Sequence, residues 1–187
     1  DVDIVITTRE LAKMIKYVGL DFQNIPDSEF DSPLGIGSGA GAIFGNTGGV
    51  MEAALRTVAE VVTGEELGKI EFNAVRGNEG VREAAIPLGD SFVKVAIAHG
   101  LKNAEKVMQM IQDGTADYTF IEIMACPGGC IGGGGQPVNT TFKMKELRQD
   151  ALYAIDESLP YRKSHKNPEI ITLYKDFLGE PLGETAH

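Results

Sequence analysis

The stretch that most narrows what this chain can fold into runs from Asp90 to Ala125. FVKVAIAHG is an apolar, β-branched run. LKNAEKVMQMIQDG follows it with apolar residues recurring every three to four positions and stops at Gly114, and YTFIEIMA is a second apolar run. Strand, amphipathic helix and strand in that order predict a βαβ crossover with parallel strands. The flanking segments fit the same class. DIVIT reads as a short opening strand, and Thr7 and Glu10 are spaced as a capping box for the helix RELAKMIKYVGL. After a polar loop, DFQNIPDSEFDSPLG, seven of the sixteen residues from Leu34 to Gly49 are glycine, a composition expected to be neither ordinary helix nor strand. VMEAALRTVAEVVTG then reads as a helix ending at Gly64, IEFNAVRG as a strand, and MKELRQDALYAIDESL and PEIITLYKDFLG as two further helices. No internal repeat or low-complexity linker interrupts the chain. The expected fold is one α/β lobe spanning residues 1–187 as a single domain, with a small, mostly parallel twisted sheet flanked by helices.

The crossover delivers its second strand into FIEIMACPGGCIGGGGQPVN, which contains both cysteines of the chain, Cys126 and Cys130, and six glycines. Ligands of open parallel sheets collect beyond the carboxyl ends of the strands, and that is where these thiols lie. The glycines remove Cβ atoms, allow positive φ, and free backbone N–H groups to face an anion or sulfide. With 187 residues the chain is long enough for a core without disulfide staples, so the two thiols have either a specific task or none. Net charge narrows the partners. Against 17 basic residues stand 27 acidic ones, a formal −10, which repels phosphate backbones and anionic membranes, so no nucleic acid is expected. No apolar run approaches the roughly 20 residues of a membrane span, and DVDIVITTRE lacks the marks of a signal peptide. A start at Asp1 without methionine and an end at GETAH read as an excised segment.

Several chemistries remain open for the thiol pair. Three residues, including Pro127, separate the cysteines, where a redox dithiol has two. Zinc needs four ligands, and beyond the cysteines the chain offers His99, His165 and His187, the last two far along the C-terminal region. An iron–sulfur cluster suits thiolates, but a four-cysteine cluster would lack two ligands. A Gly-rich turn with incidental thiols is the plainest alternative. The other glycine stretch, GSGAGAIFG, has pieces of a dinucleotide fingerprint but neither its strict spacing nor a preceding strand. Two Gly-rich loops around one bulky non-protein group is the more economical reading, and a Gly-rich module binding an anionic small molecule is its rival.

EIMACPGGCIGGGGQP, from Glu122 to Pro137, resembles the third signature of the iron-only hydrogenases, E-x-M-A-C-x-x-G-C-x-x-G-G-G-Q-P. DVDIVITTRELAKMI, AGAIFGNTGGVMEAALRTV and LPYRKSHKNPEIITLYKDFLGEPLGETAH are similar to successive blocks of the same family's catalytic domain. The family's first two signatures, T-S-C-C-P-x-W and M-P-C-x-x-K-x-x-E, are not in this sequence. The resemblance therefore implies the C-terminal half of such a domain. It implies a 4Fe-4S cluster linked to a diiron subcluster (the H-cluster), with Cys126 a cubane ligand and Cys130 the thiolate bridging cubane and diiron unit. Met124 would lie beside the diiron unit, and Phe44 and Gly45 would close over it from the other Gly-rich loop. The remaining cysteines would come from a complementary N-terminal lobe or the rest of the polypeptide. A ferredoxin-type electron carrier and maturation proteins are the other implied partners. Reversible oxidation of dihydrogen is the implied activity, with the 187-residue piece inactive and its cluster site empty unless matured. A noncatalytic relative acting in iron–sulfur sensing or assembly is the alternative. The expected location is cytoplasmic, with the periplasm second.

Overall fold

The computed structural model describes residues 2–31 and 34–186. Its sheet has three strands in the order β1-β2-β3: β1 (Val81–Leu88), β2 (Ser91–His99) and β3 (Phe120–Met124). β2 and β3 are parallel, joined by helix α4 below, as the crossover pattern predicts. β1 pairs antiparallel with β2 from Val81↔Ala98 to Leu88↔Ser91, so the sheet is mixed. Sequence reading missed β1 because Pro87 interrupts VREAAIPL. The proline is tolerated because β1 is an edge strand, and the hairpin turns over Gly89 (φ 59°) and Asp90.

The α and π helical segments of the described residues follow in chain order: α1 (Thr8–Tyr17), α2 (Gly39–Ala42), α3 (Gly49–Thr63), α4 (Leu101–Gln112), α5 (Phe142–Ser158), α6 (Pro168–Leu173) and the π turn Tyr174–Leu178 that continues α6. Of these, α3 and α4 pack on the sheet. β2 is the central strand, and its side chains alternate between two cores. Val95 and Ile97 join Ile86 and Leu88 of β1 under Met51, Leu55 and Ala59 of α3, which recur every four residues along one stripe of that helix. Ala96 and Ala98 face the other way, with Val107 of α4 and Ile121 of β3. The small residues there let α4 lie close to the sheet.

Local signals account for most helix boundaries. Glu10 N–H donates to Thr7 Oγ1 at 3.2 Å and Thr7 N–H donates to Glu10 Oε2 at 2.7 Å, completing the predicted capping box of α1. Gly64 ends α3 at φ 69°. Asn167 caps α6, whose first residue is Pro168.

Three expectations fail. DIVIT forms no strand among the described residues. Val2, Ile4 and Val5 are 78%, 80% and 86% exposed, and a strand without a neighbour has nothing to bond to. IEFNAVRG is an irregular segment with a 3-10 turn at Asn73–Val75; the Ile70 carbonyl accepts from Arg56 and the Arg76 side chain from this segment reaches Glu52, so tertiary partners replace a ladder. The first Gly-rich stretch is partly helical: α2, capped by Ser38, runs into a 3-10 turn at Ile43–Gly45. Helix is possible here despite poor propensity because Ala40 and Ile43 are fully buried, and Gly39 packs where any Cβ would strike the Asp156 carboxylate.

A second stripe of α3, next to the apolar one, carries Glu52, Arg56 and Glu60, all buried. Arg56 reaches across to α5, with Nη1 2.7 Å from Asp156 Oδ1 and Nη2 2.8 Å from Asp156 Oδ2. Nη2 also donates to Glu52 Oε1 at 2.8 Å. The Arg162 and Ile70 carbonyls accept from Nη1 at 2.9 Å and from Nε at 3.2 Å. Arg76 doubles the pairing of Glu52, and Arg162 that of Asp156. This cluster locks α3 to the C-terminal end of α5.

Candidate functional site

β3 delivers the thiols. Its last residue, Met124, is half-buried and is the register partner of His99; Ala125 follows, and the chain then turns, with Gly129 N–H donating to the Cys126 carbonyl at 3.0 Å. Gly128 and Gly129 have φ of 90° and 92°, a region L side chains avoid, so the turn requires glycine at both positions. A 3-10 turn, Cys130–Gly132, closes the loop. Cys126 is half-buried, Cys130 exposed, and both are free thiols. A Cβ at Gly133 would lie 3.5 Å from Cys126 Sγ and 3.0 Å from the Cys130 carbonyl, so this glycine keeps the space beside the thiols open. From below, α5 clasps the loop: Lys145 Nζ donates to the Pro127 carbonyl at 3.0 Å and Arg148 Nη1 to the Ile131 carbonyl at 2.7 Å. α1 docks at its far end, where Arg9 N–H donates to the Gly135 carbonyl at 3.2 Å.

The other Gly-rich loop abuts this one. Thr47 N–H donates to the Gly128 carbonyl at 3.2 Å. A Cβ on Gly129 would come within 2.7 Å of both the Gly45 carbonyl oxygen and the Thr47 nitrogen. Two backbones meet here at a distance only glycine permits. Gly45 is pressed from its other side by α5, where a Cβ would lie 2.8 Å from Leu152 Cδ1. Phe44 is 47% exposed, a large aromatic ring standing at the edge of the paired loops. The structure thus joins the Phe44–Gly45 loop to the Cys126–Cys130 loop, which are some eighty residues apart in sequence.

Residues that sequence reading did not single out complete the arrangement. Glu122, the buried member of β3, accepts the Gly48 N–H at 2.6 Å and the Met51 N–H at 2.8 Å. Arg82 Nη2 donates to Thr47 Oγ1 at 3.1 Å, and burial lowers the guanidinium pKa against the opposing pull of Glu122 and Glu79. A charged residue in the middle of an otherwise apolar strand, FIEIM, was the available signal for Glu122. For Arg82, inside a strand that was itself missed, there was none.

The histidines take other roles. His99 Nε2 lies 3.2 Å from the Asn78 carbonyl, while His165 Nε2 sits 2.6 Å from Glu60 Oε2 and its Nδ1 3.0 Å from Thr57 Oγ1. His187 lies outside the described residues. Among the described residues no group of three or more His, Cys, Asp or Glu side chains could hold a metal ion, so none of them forms a closed zinc site. The donor set does fit part of an iron–sulfur site: two free thiols on a loop cleared of Cβ atoms supply two of the four ligands such a cluster takes. No helix among the described residues is long and apolar enough to cross a membrane.

Residues 1–134 match the family model described as the iron only hydrogenase large subunit, C-terminal domain, and residues 142–187 match that of the iron hydrogenase small subunit. The NADP-reducing hydrogenase subunit HndD of Solidesulfovibrio fructosivorans is 53% identical over 188 residues, spanning 100% of this chain and 32% of that protein. A solved structure of the FeFe-hydrogenase HydA1 from Chlamydomonas reinhardtii matches with a TM-score of 0.78 at 43% identity, covering 100% of this chain and 54% of that one. Protein NAR1 of Arabidopsis thaliana is more distant, 34% identical over 197 residues and 40% covered. The chain spans about a third of the length of HndD. With the matched family model covering most of its residues and a hydrogenase fold superposing along its whole length, the chain belongs to the iron-only hydrogenase large-subunit family.

Proposed function

We propose that residues 1–187 form the C-terminal lobe of an iron-only hydrogenase catalytic domain and one wall of its H-cluster site. The observation that carries this reading is the meeting of the two Gly-rich loops, with Gly129 and Gly45 in backbone contact beside a pair of free thiols. Cys126 would hold the 4Fe-4S cubane and Cys130 would bridge the cubane and the diiron subcluster. When bound, the composite cluster supplies the redox chemistry that interconverts dihydrogen with protons and electrons. The chain's own contribution is to hold and enclose. Met124, at the end of β3, would offer a soft, polarizable thioether to the diiron unit, and Phe44 and Gly45 would cover it and limit water. Two further cysteines would come from the rest of the polypeptide or a complementary lobe. A ferredoxin-type carrier would exchange electrons, and maturation proteins would insert the diiron unit. Alone, the 187-residue chain is expected to be inactive.

The presence of NAR1 and named iron–sulfur assembly factors among the relatives supports a second reading, a noncatalytic cluster-bearing protein. The higher identity to HndD and HydA1 favours the hydrogenase. Anaerobic iron and sulfide loading, then maturation and a hydrogen assay, separates the two. The native polypeptide is expected to gain a cluster detectable by iron counting and EPR and to turn over hydrogen, with C126S losing the cubane signal. A fully metallated protein that neither makes nor consumes hydrogen would leave only the assembly reading.

A further inference from the structure

A carboxylate in the middle of an apolar strand is costly unless its oxygens are engaged. Glu122 is 5% exposed, and both of its oxygens are engaged by the same partner element. Oε1 accepts the Gly48 N–H at 2.6 Å and Oε2 accepts the Met51 N–H at 2.8 Å, across 74 and 71 residues of sequence. Gly48 is the N-cap of α3, holds φ at 89°, and has no side chain with which to cap the helix. Glu122 therefore does from another element what Ser or Asp does at an ordinary N-cap, and its negative charge meets the positive end of the α3 dipole. Arg82 closes the arrangement from the opposite side. Its Nη2 donates to Thr47 Oγ1 at 3.1 Å and lies 3.0 Å from the position a Gly48 Cβ would take.

The position of this link along the chain gives it its consequence. Glu122 stands two residues before Met124 and four before Cys126, on the strand that delivers both. Gly48 stands three residues after Gly45, on the loop that presents Phe44. Other connections between the two loops are a neutral hydrogen bond, Thr47 N–H to the Gly128 carbonyl at 3.2 Å, the close backbone approach at Gly129, and the apolar packing of Ile131 beside Gly45. Hydrogen bonds to a charged acceptor are about twice as strong as neutral ones, so Glu122 is the stiffest of these links.

We infer that Glu122 is a positioning residue that fixes the Cys126–Cys130 loop against the Phe44–Gly45 loop, and so sets where Met124 and Cys126 stand relative to Phe44. The inference rests on the hydrogenase reading for what the loops hold, but not for the link itself. Glu122→Gln keeps the shape, removes the charge, and turns one acceptor oxygen into an N–H₂ that faces a backbone N–H. Glu122→Asp keeps the charge on a shorter arm.

The test uses the native polypeptide in apo and cluster-loaded forms, with Glu60→Gln, which loosens an ion cluster at the other end of α3, as a control. In the apo form, E122Q is expected to speed amide exchange at Gly48 and Met51 about tenfold or more, the factor implied by losing one hydrogen bond to a charged group. Alkylation of Cys126 should quicken with it, and E122D should fall between E122Q and wild type. E60Q should lower the melting temperature without altering the labelling of Cys126. In the loaded form, E122Q should shift the EPR signature of the cluster at unchanged iron content. Wild-type exchange and labelling in both Glu122 variants would overturn the inference, as would an equal increase in E60Q, which would mean general loosening. If the polypeptide takes up no iron, the hydrogenase reading fails while the apo measurements still decide the role of Glu122.

Discussion

Arg56 is fully buried, yet each of its five N–H donors has an acceptor, supplied by Glu52, Asp156 and two backbone carbonyls. A buried guanidinium so enclosed is neutral to mild in net stability, but removing one partner leaves charge without compensation. D156N is therefore expected to destabilise the fold by about 3–5 kcal/mol, read as a fall in urea midpoint, because both Arg56 and Arg162 lose a carboxylate oxygen. At the far end of α3, Glu60 sets an acid limit. Burial alone would raise its carboxyl pKa, but hydrogen bonds from Lys163, the Leu67 amide and His165 outweigh that and hold it down to about 2, from 4.5. A carboxylate depressed by folding stabilises the native state above its unfolded pKa and loses that contribution as pH falls through the folded one. Stability should thus drop between about pH 4.5 and pH 2, and the drop should be smaller in E60Q than in wild type. An equal acid dependence in both proteins would show that Glu60 is not the group responsible. None of these ion pairs was legible beforehand, since a Glu, Arg, Glu stripe at four-residue spacing reads equally well as a solvated helix face.

Helices, turns and strands differ in how far their own sequence specifies them. The ends of α1, α3 and α6 follow from Thr7, Gly64 and Asn167–Pro168, because caps act within one helical turn. β1 was invisible because Pro87 interrupts its pattern, and its pairing with β2 is what makes it a strand. The loops around the thiols are the sharpest case. Gly129→Ala would place a side chain at φ 92° and drive its Cβ to 2.7 Å from the Gly45 oxygen, which should cost about 1–3 kcal/mol and part the two loops. Gly134→Ala, in the same loop, meets nothing within 4 Å and needs no positive φ, so its stability should stay within about 0.5 kcal/mol of wild type. Thermal melting of the two variants side by side checks this. Equal melting temperatures would mean that the Gly129–Gly45 contact does not constrain the loops.

On the scale of the molecule, the chain leaves much apolar surface uncovered. Val2, Ile4 and Val5 are exposed along one segment, α1 buries no residue, Phe44 and Ile123 stand open toward the thiol-loop end, and Phe120 stands open at the far end of β3. Exposed apolar patches of this kind mark surfaces that another segment or protein covers. The isolated 187-residue chain is expected to bind a hydrophobic dye and to exchange the amides of residues 2–6 without protection. The native polypeptide should lose the dye binding and protect those amides as DIVIT gains a strand neighbour. Amides 2–6 already protected in the isolated chain would contradict this.

The sequence by itself determined the crossover from β2 through α4 to β3, the helix caps, and the placing of both thiols beyond a strand end. These rest on periodicity and on contacts between residues three or four apart, which any local reading can see. Tertiary structure alone decided that β1 exists, that Gly45 lies on Gly129, that Glu122 caps α3, and that Arg56 joins α3 to α5. Apart from the β1 hairpin, where Pro87 hides a local pairing, each depends on groups that are far apart in sequence and meet only when packed elements bring them together, and no local pattern records where a docked neighbour will be.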